Sequence, residues 1–474
     1  MRTIEHIYID GRFVVPHGRE LFDLHNPATG EVIGRVRLGD GDDARAAIAA
    51  AKRALPQMTR TTKAERLQML EALHAAMRKR VEELREAVLE EYGAPISRSV
   101  WMADYAAVSF MTAARVLADY PLEREIGSAR VVMEPVGVAG LITPWNSNAG
   151  FICNKLAYAI AAGCTAVVKP SEMSATQTEV VLRALHEAGL PAGVYNVING
   201  HGADVGAAIA AHPDVAKISF TGSTAVGKAI VQASADSLKR VTLELGGKSP
   251  TIILDDADLD AVIPGVIEAG LLNSGQACIA GTRLLVSETL RPEFEVRLEA
   301  AIETRVKVGD PRDPSTTVGP MVSQLQWERV QRYIRLGLEE GARLLTGGEG
   351  RPERLGGYFV RPTVFTNVRN DMRIAREEIF GPVLSILSYR DEDDAVAIAN
   401  DTTYGLSAYV FGDQARAERI AARLESGRVV INGAAHEPLA PFGGMKQSGL
   451  GRENGPFGLE AYLEPKTLLG VSPA

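Results

Sequence analysis

V-A-K-I-S-F-T-G-S-T-A-V-G, from Val215 to Gly227, is the stretch on which the fold turns. β-Branched and aromatic residues crowd its first half, which reads as a buried strand from Val215 to Phe220. Gly222 and Gly227 bracket a turn, and a helix is expected from Thr224 to Ala235. The same alternation recurs on both sides. Strands are expected at Val138 to Ile142, Thr165 to Val168, Val194 to Val197, Val241 to Leu245 and Thr251 to Leu254. Helices are expected between most of them, near Phe151 to Ala162, Ala175 to Ala188 and Gly202 to Ala211. Such alternation predicts a parallel, doubly wound α/β sheet.

A second α/β series is expected from Asp258 to Asn432, with strands near Arg283 to Val286, Leu384 to Leu387, Leu406 to Phe411 and Val429 to Ile431. Gly347 to Pro362, rich in Pro and Gly, reads as a surface excursion. Upstream, Asp42 or Asp43 is placed to cap a run of alanines, and one long amphipathic stretch runs from Lys63 to Tyr92. Gly93 and Pro95 punctuate it before a helix through Trp101 and Tyr105. A chain of 474 residues exceeds a single simple core, so two α/β domains meeting at a cleft are expected.

Composition narrows the function classes. A net charge of −8, without long basic runs, argues against nucleic-acid binding. Three cysteines, Cys153, Cys164 and Cys278, are too few and too odd for a disulfide framework. No C-x-x-C or H-E-x-x-H pattern occurs, so no metal site is expected. The opening residues lack the apolar core of a signal peptide, and the longest apolar stretch, near Leu156 to Val168, is too short for a bilayer. The sequence reads as soluble and cytoplasmic, with no membrane partner.

Chemistry concentrates in four places. Cys278 lies in N-S-G-Q-A-C-I-A-G-T-R, 34 positions after Glu244 in V-T-L-E-L-G-G-K-S-P. A thiol framed by small residues can attack a carbonyl, and a carboxylate can later activate water to release the acyl group. Gly222 and Gly227 suit a phosphate at a helix amino end. Thr224 stands where a dinucleotide fingerprint has its middle glycine, however, so the spacing alone fits any tight turn. In K-P-S-E, Lys169 and Glu172 follow a strand and suit two ribose hydroxyls, or else a solvated loop. In P-W-N, Asn146 could donate to a developing oxyanion, or simply serve the turn. Cys153 and Cys164 read as small buried hydrophobes.

Taken in order, P-W-N, K-P-S-E, F-T-G-S-T, L-E-L-G-G-K, G-Q-A-C, E-E-I-F-G-P and N-D-T-T-Y-G-L make the chain resemble the aldehyde dehydrogenase superfamily over nearly its whole length. The resemblance implies a Rossmann-type cofactor domain (residues 1–119 and 137–246), an α/β catalytic domain (247–440) and a small oligomerisation β-hairpin (120–136, with 460–474). It implies that Cys278 forms a thiohemiacetal and then a thioester. The Asn146 amide and the Cys278 N–H would form the oxyanion hole, and Glu244 would activate the hydrolytic water. Lys169 and Glu172 would hold the adenine ribose. Trp145, Gly222 and Ser223 would lie along the adenosine and pyrophosphate, with Glu378 and Phe380 at the nicotinamide end. Lys155 and Glu453 would assist proton movement. Glu172 favours NAD over NADP, since its charge opposes a 2′-phosphate.

The expected pocket, Tyr105, Phe151, Asn154, Ile279 and His436, is mixed apolar and polar. Asn154 stands where relatives have an arginine or an aromatic residue, which disfavours succinate semialdehyde and betaine aldehyde. A neutral, medium-sized aldehyde is expected, and a homodimer or homotetramer. Two other functions share the thiol: a CoA-acylating relative, which Glu244 argues against, and a cofactor-free thiol esterase, which leaves the ribose motif idle.

Overall fold

The computed structural model describes residues 2–470. Among these, the strands form sheets of eight, seven, three and three. The larger two are the two α/β series of the sequence.

In the eight-stranded sheet, five parallel strands run side by side in the order Arg240–Glu244, Val215–Thr221, Val138–Ile142, Thr165–Lys169, Tyr195–Val197. The chain winds outward from Val138–Ile142 in one direction, then crosses back to lay Val215–Thr221 on its other side. That reversal opens a crevice at the carboxyl ends of those two strands, where doubly wound sheets take their ligands. The N-terminal hairpin Ile7–Ile9 and Arg12–Val14 extends one edge antiparallel. Gly449–Leu450, from near the end of the chain, pairs antiparallel with Leu243 and Glu244 at the other.

In the seven-stranded sheet, Pro250–Ile253 is flanked by Arg283–Ser287 and Ser407–Phe411. Val383–Tyr389 and Arg428–Ile431 lie beyond these, all parallel. The expected strands of both series are present, with ends moved by a residue or two. Two strands of the second series were not expected: Arg343–Thr346 and Thr363–Thr366, which flank the Pro/Gly-rich stretch. That stretch is no mere surface excursion, since Phe359 and Val360 are buried and the Tyr358 N–H donates to the Pro27 carbonyl.

Three further local readings change. Asp40, not Asp42 or Asp43, caps the helix Gly41–Met58, while Asp43 reaches back to the Asp40 N–H to complete a capping box. Lys63 to Tyr92 is two helices, Lys63–Arg78 and Val81–Glu91, broken at Lys79 and Arg80. Gly202 to Ala211 opens as a π turn before becoming α-helical at Ala207.

The helix Asn148–Ala162 governs the site's placement. All of its side chains but Phe151 are buried, including the polar Asn148, Asn154 and Lys155. It ends at Gly163 in the left-handed region (φ 87°), where the Arg66 guanidinium donates to the Ala162 carbonyl. A methyl at Gly163 would meet that guanidinium at 2.5 Å, so glycine and arginine secure the same end. The amino end of the helix therefore points firmly at the crevice. The hairpin Glu123–Ile126 and Ala129–Pro135, joined by Leu463–Leu468, forms a separate three-stranded sheet. Residues 471–474 of the expected oligomerisation segment lie outside the described residues.

Candidate active site

The two large sheets contribute opposite edges to one site. From the cofactor-side sheet come residues at or just past the carboxyl ends of strands: Asn146 beyond Ile142, Lys169 and Glu172, Gly222 and Ser223, and Glu244. From the other sheet come loops that precede strands: Gly246 and Gly247, Cys278, Glu378 and Phe380.

Packing of glycines fixes how closely these loops meet. A methyl on Gly247 would lie 2.3 Å from the Cys278 carbonyl oxygen, and one on Gly275 2.2 Å from the Gly381 carbonyl. Neither position tolerates a side chain, so the thiol-bearing loop is wedged between L-G-G-K and F-G-P. Asn273 and Ser274 have φ of 56° and 59°, a left-handed turn that only tertiary contacts hold in place for such residues. The contacts are visible. The Asn273 amide donates to the Tyr92 hydroxyl, the Asn146 carbonyl and the Gln276 carbonyl, and the Asn146 amide donates to Gln276 at 3.0 Å. Asn146 and the approach to Cys278 are thus one hydrogen-bonded unit, with the second amide hydrogen of Asn146 left for a ligand.

Burial dominates the electrostatics of Cys278 and Glu244. Burial pushes the Cys278 thiol up to about 12, the Glu378 and Glu244 carboxylates add to the rise, and Arg428 opposes it. Glu244 is 2 % exposed and its pKa is raised well above the ordinary range, by burial first and by Glu453 second, with Lys155 and Arg452 opposing. Neither Glu244 oxygen has a hydrogen-bond partner in the protein, and Gly443 packs where a methyl would reach one of them at 2.6 Å. A buried carboxylate with free lone pairs is costly to keep and suited to take a proton.

The cofactor end is built as a cradle. Lys169 and Glu172 pair at 3.0 Å; burial opposes the Glu172 charge, but Lys169, a backbone N–H and His201 hold its pKa below the usual value. Ser223 caps the helix Thr224–Ser234, its hydroxyl accepting from Val226 N–H. Trp145 meets the Phe380 ring edge-on at 5.3 Å and the Tyr92 ring at 5.8 Å. The Gly247 N–H donates to Glu378 at 3.1 Å, and burial lifts Glu378 to about 7. These donors and acceptors fit a dinucleotide: hydroxyl partners at one end, a helix amino terminus midway, and an aromatic ring with a carboxylate at the other.

A family model described as the aldehyde dehydrogenase family matches residues 13–468. The chain belongs to the aldehyde dehydrogenase family. A 3-succinoylsemialdehyde-pyridine dehydrogenase of a Pseudomonas species is 46% identical over 474 residues, covering 99% of each chain. The crystal structure of a cysteine-to-alanine mutant of aldehyde dehydrogenase C from Pseudomonas syringae, with NAD+ and octanal, superposes with a TM-score of 0.97. It is 44% identical, over 99% of this chain and 97% of that one. A Staphylococcus aureus betaine aldehyde dehydrogenase in complex with NAD+ gives 0.95 at 36% identity, covering 98% and 94%.

Other parts of this aldehyde dehydrogenase sort by what they touch. Lys155 and Glu453 form a buried ion pair, both bonded to the Ser219 hydroxyl at 3.0 Å. Asn154 is drawn to the same place: it is buried, donates to Asn454 at 3.1 Å, and lines a cavity of about 10 Å³ with Lys155, Tyr158 and Glu453. Tyr105 stacks on Trp101 at 5.0 Å and lies where a methyl on Gly150 would touch it, which puts its ring beside the helix that carries Phe151. Ile279 follows Cys278 directly. His436 is exposed; partial burial and then Arg428 lower its pKa. Cys153 and Cys164 are fully buried, and burial pushes Cys164 up to about 11. Among the described residues, no helix of this aldehyde dehydrogenase is long and apolar enough to cross a membrane. Tyr92, Asn273 and Gln276 were not singled out from the sequence. Asn273 and Gln276 stood inside N-S-G-Q-A-C, but nothing marked Tyr92 as their partner.

Proposed function

We propose that the chain oxidises a neutral, medium-sized aldehyde, aliphatic or aromatic, to its carboxylic acid, with NAD accepting the hydride. The carrying observation is the single unit made by Asn146 and the Cys278 loop, beside a buried Glu244 whose oxygens have no protein partner. The Cys278 thiol gives its proton to solvent water and the sulfur adds to the aldehyde carbon, while the Asn146 amide and the Cys278 N–H stabilise the oxygen that becomes negative. NAD, held by Lys169, Glu172, Trp145, Gly222, Ser223, Glu378 and Phe380, supplies a hydride acceptor when bound. Loss of hydride from the thiohemiacetal leaves a thioester on Cys278. Glu244 then takes a proton from water as the water attacks that thioester. Lys155 and Glu453, charged neighbours of Glu244, carry the proton onward. A Pseudomonas syringae relative holds octanal and a Pseudomonas relative is named for a pyridine-bearing aldehyde, which supports both the aliphatic and the aromatic arm.

The deciding assay is a panel of aldehydes followed by NADH formation, with Cys278→Ala as the blank. Turnover of no neutral aldehyde in the panel, or acyl-CoA formed faster than free acid, would overturn this reading.

NAD preference rests on Glu172, whose charge is kept by Lys169 and His201. Glu172→Gln removes that charge without removing bulk and is expected to raise kcat/KM for NADP by roughly tenfold. Unchanged or poorer NADP kinetics would count against it.

We further propose that residues 1–119 and 137–246 bind the cofactor, 247–440 carry the nucleophile, and the hairpin sheet joins copies of the chain. Among the described residues, both outer strands of that sheet have a free edge, and Ile126 and Leu469 beside them are 61% and 75% exposed. A homodimer or homotetramer is expected, in a cytoplasmic setting where the three thiols stay reduced. Light scattering that reads only the 50.8 kDa monomer would refute the assembly.

A further inference from the structure

Arg428 opens the strand Arg428–Ile431, and no mechanistic role above uses it. Its Nε donates to the Ser407 hydroxyl at 3.2 Å and its Nη2 to the Tyr409 hydroxyl at 3.0 Å. Among the described residues it has no carboxylate partner within ion-pair distance, whereas most arginines of the chain do. Tyr409 in turn donates its hydroxyl hydrogen to the Ile279 carbonyl at 2.8 Å. Ile279 is the residue after Cys278. The Tyr409 ring also lies where a methyl on Gly281 would meet it at 3.0 Å, and the Thr251 hydroxyl donates to the Gly281 carbonyl at 3.3 Å. Tyr409 and Thr251 are register partners on adjacent strands. Two strands of the catalytic sheet thus grip the short run from Cys278 to Gly281 from one side.

We propose that Arg428 is a positioning residue for the nucleophile: through the Tyr409 hydroxyl it fixes the main chain after Cys278, and it keeps a positive charge beside the thiolate. The chain guanidinium, hydroxyl, carbonyl runs donor to acceptor throughout, so each bond polarises the next. Charge balance at the site supports the second half. The thiol faces Glu244 from the end of its strand and Glu378 from the loop before Val383, two carboxylates that disfavour a second negative charge. Arg428, two hydrogen bonds away from the Ile279 carbonyl, opposes both. The titratable Tyr409 hydroxyl touches the guanidinium, and on the following loop Arg428 lowers the His436 pKa while Glu437 raises it. An arginine already neutralised by a carboxylate could not act this way.

This inference rests on Cys278 being the nucleophile, and the test separates the two claims. Alkylation of Cys278 by iodoacetamide is measured against pH without cofactor, in the wild type, Arg428→Met, Arg428→Lys and Tyr409→Phe. Cys278→Ala gives the background from Cys153 and Cys164. Arg428→Met is expected to move the alkylation profile up by about one pH unit and to lower kcat about tenfold. KM for NAD is expected to stay within about twofold, because no contact to the cofactor cradle changes. Arg428→Lys restores most of the profile by restoring charge. Tyr409→Phe keeps the charge but cuts the tether, so kcat falls while the profile stays near wild type. An Arg428→Met profile that coincides with wild type overturns the electrostatic role, and wild-type kcat in Tyr409→Phe overturns the tether. If Arg428→Met fails to fold, Arg428→Gln serves in its place with the same expected shift. Full activity in Cys278→Ala would instead sink the nucleophile assignment itself.

Discussion

Cys278→Ala is expected to lower aldehyde oxidation by about 10⁴-fold or more while leaving NAD binding intact. Without the sulfur there is no thiohemiacetal, and the remaining groups can only orient an aldehyde that nothing attacks. Binding survives because the cradle lies elsewhere: Lys169, Glu172 and Ser223 stand on strand ends and a helix start that the thiol-bearing loop does not form. The mutation removes one half-buried sulfur and adds no bulk, so the loop between Gly247 and Gly381 keeps its packing. Calorimetry with NAD and NADH production with a reactive aldehyde give the two readouts. Residual turnover above about one per cent of wild type would show that another group attacks the aldehyde.

Glu244→Gln divides the reaction instead of abolishing it. Acylation needs the thiol, hydride acceptance and the oxyanion donors, none of which is the Glu244 carboxylate. Mixing the variant with NAD and aldehyde is therefore expected to give a burst of one NADH per active site. Steady turnover then falls by about 10²–10⁴-fold, as general-base catalysis is lost. The acyl group stays on Cys278, where intact-mass spectrometry can weigh it. In the wild type the pH dependence has a fixed sign. Burial and Glu453 raise the Glu244 pKa above the ordinary carboxylate range, so the proton leaves later and deacylation quickens as pH rises through that raised value. An unchanged steady rate in Glu244→Gln would take Glu244 out of the hydrolytic step.

The alternation of β-branched runs and helices in the cofactor half was legible because its central strands, Val138–Ile142, Thr165–Lys169 and Tyr195–Val197, are buried on both faces and glycine, proline or capping residues stand at most helix ends. Arg343–Thr346 and Thr363–Thr366 escaped because four-residue strands beside a Pro/Gly-rich stretch carry too little periodicity. The break at Lys79 and Arg80 had no glycine or proline to announce it. Within the candidate site, Cys278, Glu244 and Asn146 stood out by residue type and setting. Their supports did not. Tyr92 and Asn273 are 181 positions apart, and Tyr409 and Ile279 are 130 apart; a side chain's reach across that distance leaves no trace in local pattern. Asn154 was read from its position before Lys155, but sequence could not show that Asn454 would claim its amide.

Gly443 and the strand Gly449–Leu450 close over Glu244 from almost the far end of the chain. A ribosome making this protein therefore finishes the thiol long before it finishes the enclosure of the base. At typical elongation rates the interval from residue 278 to residue 443 lasts on the order of ten seconds. During it the nascent chain carries the proposed nucleophile but no dry pocket around the Glu244 carboxylate. Hydrolytic competence is in this sense the last thing translated, and it arrives together with the stretch that seals the sheet edge.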